Sequence, residues 1–147
     1  MKILAIASTG GHWIQLLRLR PAFDEHEIVF ASTKKNFNTT VKGYDFHAVP
    51  EANRWNKRKL FLAFFKIWSL IGDIKPDVIV TTGAAPGLMA IIIGRIRGVK
   101  TIWVDSIANA EQLSMSGKLA TYFSDRVYTQ WLHLANDKIV FDGNVIV

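Results

Sequence analysis

The segment Ile3-Leu4-Ala5-Ile6-Ala7 runs directly into Ser8-Thr9-Gly10-Gly11-His12 and then into Trp13-Ile14-Gln15-Leu16-Leu17-Arg18-Leu19. A short apolar run that breaks at two glycines and resumes with helical spacing predicts a strand, a tight turn and a helix, the opening unit of an open α/β sheet. Glycine lets the backbone approach a ligand closely, and the unpaired N–H groups of a first helical turn point at whatever lies there. The turn is therefore suited to an anion, although a bare tight turn would read the same way.

The same grammar continues downstream. Glu27-Ile28-Val29-Phe30-Ala31 predicts a second strand, the polar stretch from Ser32 to Lys42 a loop with at most a little helix, and Tyr44 to Pro50 a third strand. The basic linker Arg54-Trp55-Asn56-Lys57-Arg58-Lys59 leads into a helix from about Leu60 to Asp73, which Lys75-Pro76 ends. Asp77 to Thr82 lacks polar alternation, as a central parallel strand does. Gly83-Ala84-Ala85-Pro86-Gly87 turns into a helix from Leu88 to Arg97, closed by Gly98. A strand from Lys100 to Asp105, a helix from Ser114 to Phe123, and strands at Arg126–Thr129 and Lys138–Phe141 complete the order. The pattern β-α-β-β-α-β-α-β-α-β-β predicts an α/β fold with a Rossmann-like, doubly wound, mostly parallel sheet, one domain over residues 1–147.

Charge and hydropathy narrow the partners. Eighteen Lys and Arg against twelve Asp and Glu give a net charge of +6, which favours anionic ligands or surfaces. Half of the residues are hydrophobic, with five Trp and nine Phe, more than a small domain hides easily. No cysteine is present, which excludes disulfides and thiolate metal sites. The N-terminal apolar run is too short for a signal peptide, and no stretch reaches the ~20 apolar residues of a bilayer span. No metal motif, GxGxxG fingerprint or Walker loop appears, so no metal and no cofactor is expected. No recognition-helix or RNP pattern supports nucleic acid.

In such sheets ligands bind beyond the carboxyl ends of the strands, where the strand order reverses. Three loops leave those ends with suggestive residues: Ser8–His12, Gly83–Gly87 and Asp105–Asn109. Gly83, Pro86 and Gly87 suit a second phosphate contact at a helix N-terminus, or ordinary capping. His12, at the positive end of a helix, would be a neutral imidazole able to take a proton from a sugar hydroxyl, or a group that bonds only to backbone or phosphate. Asp105 would position a hydroxyl, or simply cap the next turn. His26, His47 and His133 have no neighbours at metal-ligand spacing.

The helix Leu60 to Ile71 is apolar almost all round. One side would cover the sheet and leave Phe61, Phe64, Phe65 and Trp68 on another, behind the cations Arg54, Lys57, Arg58 and Lys59. That arrangement suits a helix lying in a membrane interface; burial under a partner chain is the alternative.

Gly10-Gly11-His12 with Leu16-Leu17-Arg18-Leu19, Thr82-Gly83-Ala84-Ala85-Pro86-Gly87, Val104-Asp105-Ser106 with Asn109, Leu113-Ser114 with Ser116-Gly117-Lys118-Leu119, Ser124-Asp125-Arg126-Val127 and Gln130-Trp131 resemble, in the same order, the asparagine-linked-glycosylation-fourteen family. Its bacterial members include PssD and CpsF type subunits of capsule and exopolysaccharide synthesis, and the layout is similar to the N-terminal half of MurG. The resemblance implies the acceptor half of a GT-B glycosyltransferase, with a partner subunit supplying the donor-binding half. The ligand would be a polyprenyl-diphosphate-linked sugar, and attachment would be peripheral, on the cytoplasmic face of the membrane. By position, Gly10, Gly11 and His12 would face the acceptor, with Gly83, Pro86 and Gly87 forming the second loop and Asp105, Ser106 and Asn109 lining the cleft. Many eukaryotic relatives have an N-terminal transmembrane anchor that is not expected here, which would leave attachment to the 54–71 segment, and Asp105 stands where Glu is expected in many relatives. A non-catalytic enhancer or scaffold of the partner, and a stand-alone nucleotide- or flavin-binding module, are the rival readings.

Overall fold

The computed structural model describes residues 1–52 and 55–146; Arg54 lies outside them. The strands are β1 (Lys2–Ala7), β2 (Glu27–Ser32), β3 (Asp45–Ala48), β4 (Val78–Gly83), β5 (Lys100–Val104), β6 (Arg126–Thr129) and β7 (Ile139–Phe141). The helices are α1 (Gly11–Leu19), α2 (Lys57–Ile74), α3 (Ala85–Ile96) and α4 (Met115–Phe123). The polar stretch after β2 forms a 3-10 turn at Lys35–Thr40.

The seven strands make one sheet in the order β3-β2-β1-β4-β5-β6-β7. Every described pairing is parallel, a stricter arrangement than the mostly parallel sheet expected. The order reverses between β1 and β4, whose neighbouring carboxyl ends therefore open a crevice.

Both faces of the central strands are covered, which is why β1 is buried beyond Lys2 and β4 is buried along its whole length. Leu4, Ile6 and Ile79 pack against Ile67, Leu70 and Ile71 of α2 and Ala90 and Ile93 of α3. Ala5, Ala7, Ile28 and Phe30 pack on the other side against Trp13 and Leu16 of α1. Trp103 of β5 meets Ile91 of α3 and Ala120 of α4, so α2, α3 and α4 share one face.

Element ends follow local chemistry. α2 begins at Lys57, earlier than periodicity alone suggests, because the Asn56 side chain accepts from the Lys59 amide at 3.1 Å. α3 begins at Ala85 because Pro86 fits a first helical turn, where its missing N–H is not needed. β3 ends at Ala48, shorter than expected; Pro50, which has no N–H, follows.

α2 is buried along a single stripe, Ala63, Ile67, Leu70, Ile71 and Ile74. Each buried Ile or Leu there contributes about 1.5–3 kcal/mol. Phe61, Leu62 and Phe65 are 63%, 54% and 52% exposed. Phe64 and Trp68 do not share that outward face: both pack against the core, and the Arg97 guanidinium covers the Trp68 ring at 4.3 Å. The fully apolar periodicity thus divides into an inner stripe, a half-buried flank and a smaller outward patch.

Candidate functional site

β1 and β4 are hydrogen-bonded neighbours, so the turns that follow them meet. The Ser8 amide donates to the Gly83 carbonyl at 2.9 Å. Gly10, at φ 79°, precedes α1 in a conformation that a side chain rarely adopts, and no side chain caps the helix. Ala84 precedes α3, again with no side-chain cap and no acidic residue in the first turn. Two helix N-termini thus flank one crevice with unpaired backbone donors and positive dipole ends.

Beside them lies a cavity of about 310 Å³, lined by Ser8, Thr9, Thr33, Glu51, Lys59 and Pro86; Pro86 is the one residue expected to bind the acceptor that lines it, and Gly10, Gly11, His12, Gly83 and Gly87 do not. Its walls come from the carboxyl ends of four strand connections and the start of α2. Hydroxyls, one carboxylate and one ammonium face it, a composition fit for a polar, anionic ligand of modest size. An apolar cavity of about 380 Å³ lies on the α1 side of the sheet between Leu19, Phe23, Ile102, Val104 and Tyr128. Neither glycine turn lines it.

His12 sits in the first turn of α1, partly exposed. Its Nδ1 lies 2.9 Å from the Thr82 carbonyl oxygen, and the Thr82 hydroxyl donates to the His12 carbonyl at 2.6 Å. A carbonyl can only accept, so Nδ1 carries the proton and Nε2 of the neutral ring keeps its lone pair. A Cβ on Gly83 would stand 2.9 Å from Cε1 and Nδ1 of that ring, and Gly83 has φ 120°. Glycine at 83 is thus the floor on which the imidazole lies.

Gly87 has a different role from the phosphate contact expected of it. It is buried, and a Cβ there would fall 2.1 Å from Thr81 Oγ1, the atom that accepts from the Gly83 amide. Its lack of a side chain brings α3 down onto β4.

The third loop is internally saturated. Asp105 is 2% exposed, and its carboxylate accepts four hydrogen bonds: Trp103 Nε1 (3.0 Å) and Ser114 Oγ (2.7 Å) on Oδ1, the Ser114 amide (3.0 Å) and Asn109 Nδ2 (3.2 Å) on Oδ2. Ser114 in turn caps α4 by accepting from the Gly117 amide at 2.9 Å. Ser106 Oγ accepts from Gln15 Nε2 at 3.0 Å. Gln15 Oε1 accepts from the Ile107 amide (3.1 Å) and Gln130 Nε2 (2.6 Å), and Gln130 Nε2 also donates to the Asp105 carbonyl (2.9 Å). None of Asp105, Ser106 or Asn109 lines the polar cavity. The structure therefore ties all three loops to α1, but gathers the second at His12 and the third at Gln15.

Thr82, Gln15, Gln130 and Ser114 organise the site, although residue type alone assigns none of them a role. Gln15 carries a signal: a polar side chain at an inward position of an amphipathic helix needs buried partners. Thr82 carries none, since a threonine closing a buried strand reads as core. Among the described residues no group of His, Asp and Glu is placed to hold a metal ion.

Residues 31–143 match the family model described as "Oligosaccharide biosynthesis protein Alg14 like". That match begins after the first strand, turn and helix. The mouse protein named UDP-N-acetylglucosamine transferase subunit ALG14 is 29% identical over 184 residues, spanning 99% of this chain and 83% of the relative. The Schizosaccharomyces pombe protein of the same name is 29% identical over 162 residues, 90% of this chain and 77% of the relative. Among solved structures, Acinetobacter baumannii MurG superposes with a TM-score of 0.79 at 12% identity, over 98% of this chain and 46% of that one. UDP-N-acetylglucosamine 2-epimerase from Rickettsia bellii gives 0.76 at 17% identity, over 99% and 45%. The chain thus spans about half the length of those two structures, and at such identity they establish the fold.

Proposed function

The chain belongs to the Alg14-like family of oligosaccharide biosynthesis proteins, and on that premise we propose that it is the acceptor-binding, membrane-associating subunit of a two-chain inverting glycosyltransferase. The acceptor is a polyprenyl-diphosphate-linked sugar. Its diphosphate lies in the crevice, against the backbone donors of Gly10 and Gly11 at α1 and the first turn of α3 after Gly83, with Lys59 balancing its charge. A partner subunit holds the nucleotide-sugar; the relatives' name supports UDP-N-acetylglucosamine as its class. The placement in exopolysaccharide or capsule synthesis rests on the sequence resemblance.

His12 Nε2 takes the proton of the acceptor hydroxyl as that oxygen attacks the anomeric carbon, and the bond to the departing UDP breaks on the opposite side, inverting the centre. Asp105, Ser106 and Asn109 act here by holding the loop that abuts α1, in place of direct acceptor contact. The observation that carries this reading is the anchored imidazole, its Nδ1 held on a carbonyl, next to two uncapped helix N-termini.

Expressed with its partner, the His12→Ala variant should lose about 100-fold or more of kcat/KM, within the usual range for a general base, while the melting temperature is retained. A loss below tenfold, about 1.4 kcal/mol, would make the subunit a non-catalytic enhancer.

Membrane contact is assigned to the outer face of α2. Phe61, Leu62 and Phe65 project outward behind the exposed Lys57, Arg58 and Lys59, an apolar patch with cations at headgroup height. No described helix is long and apolar enough to cross a bilayer. Changing Phe61, Leu62 and Phe65 together to Ser should abolish pelleting with anionic vesicles at unchanged melting temperature. Retained pelleting would assign the patch to a protein contact.

A further inference from the structure

The bond between His12 and Thr82 is reciprocal and joins residues 70 positions apart. Thr82 is 1% exposed, so its hydroxyl must find a partner within the protein, and it finds the main-chain carbonyl of the very residue whose ring its own carbonyl holds. Directly beneath, Thr81 Oγ1 accepts from the Gly83 amide at 3.1 Å, and buried Gly87 lets α3 close on Thr81. The end of β4 is therefore fixed from both sides, and the imidazole is fixed to it.

We infer that Thr82 is the positioning residue of His12, its carbonyl selecting the Nδ1–H tautomer and its hydroxyl locking the first turn of α1, so that Nε2 alone is left to exchange a proton with a ligand. The assignment of the tautomer stands on geometry; its consequence for turnover rests on the proposed role of His12 as base. Neutral imidazole has a single proton, so the nitrogen bonded to a carbonyl decides which nitrogen remains basic. The same carbonyl faces Nδ1–H of the imidazolium once Nε2 has taken a proton, and the ring need not turn between the two states. A helix turn free to shift by an ångström would break that alignment, and such displacements cost a catalyst heavily.

The test begins with the full chain alone, labelled with ¹⁵N at histidine. Long-range ¹H–¹⁵N spectra of the wild type should show neutral His12 as the Nδ1–H tautomer, with the exposed His47 as an internal reference for an unconstrained ring. Thr82→Val, which removes the hydroxyl and keeps the shape, should move His12 toward the His47 pattern, and Thr82→Ser should restore the wild-type spectrum. In the complex with the partner subunit, Thr82→Val should lower kcat/KM about tenfold, Thr82→Ser should stay within about twofold of wild type, and Thr82→Val should cost nothing further on a His12→Ala background.

An Nε2–H tautomer in the wild type, an unchanged spectrum in Thr82→Val, or an equal activity loss in both backgrounds overturns the inference. The wild-type spectrum decides the tautomer even if valine at 82 prevents folding. Were the tautomer to respond as stated while His12→Ala kept full activity, the positioning would stand and the base would fall. Were His12→Ala to lose turnover while the tautomer stayed indifferent to Thr82→Val, the base would stand and the positioning would fall.

Discussion

The loop after β4 and the loop after β5 leave the same edge of the same sheet, and both carry small and polar residues. At Gly83 the chain has no side chain to satisfy; its carbonyl accepts from Ser8, and its α-carbon supports a histidine held through Nδ1 alone among the described hydrogen bonds. At Asp105 a full carboxylate is present, yet all of its hydrogen-bonding capacity goes to Trp103, Asn109 and Ser114. The residue with the more obvious chemistry is the one with none to spare. A charged side chain buried in a completed network is a structural element, because drawing it toward a ligand would strip its partners of theirs. The histidine resting on Gly83 keeps one ring nitrogen, Nε2, outside the described hydrogen bonds.

Substitutions can break that contrast. Asp105→Ala should have the largest effect, and on folding: it leaves the indole N–H of Trp103, itself 1% exposed, and the Ser114 amide without acceptors. A loss of about 3 kcal/mol is expected, lowering the melting temperature by about 6–12 °C in calorimetry. Were the variant to melt like wild type and fail only in turnover, Asp105 would belong with the ligand-facing groups.

Gly87→Ala comes next. The added methyl meets Thr81 Oγ1, and relieving that overlap should cost about 1–3 kcal/mol in chemical denaturation. Because Thr81 also holds the Gly83 amide, activity should fall more than stability alone accounts for. A purely stabilising or neutral outcome would separate α3 packing from the His12 seat.

Gly11→Ala should matter least to folding, within about 0.5 kcal/mol, since a Cβ there meets open space. If the acceptor diphosphate lies against this turn, the same methyl should raise KM several-fold. Unchanged KM would confine anion binding to the α3 side of the crevice.

Most of the architecture is legible in order and kind. Alternation of apolar runs with helical spacing, punctuated by Gly and Pro, predicts each strand and each helix, since local periodicity reports which face of an element is buried. What it misjudges are quantities that neighbours set. α2 looks apolar all round because Phe64 and Trp68 belong to a flank closed by Arg97, a residue 29 positions beyond Trp68. Gly87 looks like a ligand-binding glycine because absence of a side chain serves backbone approach by an anion and by a strand equally well. Gln130 and Ser114 stand inside recognisable motifs without a role, since their partners, Gln15 and Asp105, come from other elements.

Sequence by itself determined the order and kind of the elements, the doubly wound class of the sheet and the pairing of glycine turns with helix starts, because those follow from short-range periodicity and from what glycine and proline allow, whereas the strand order placed the reversal between β1 and β4. Tertiary structure alone decided which polar groups were already taken. Whether a carboxylate, an amide or an imidazole nitrogen is available depends on donors and acceptors brought within about 3 Å by chain folding, and no local pattern encodes which of them will arrive.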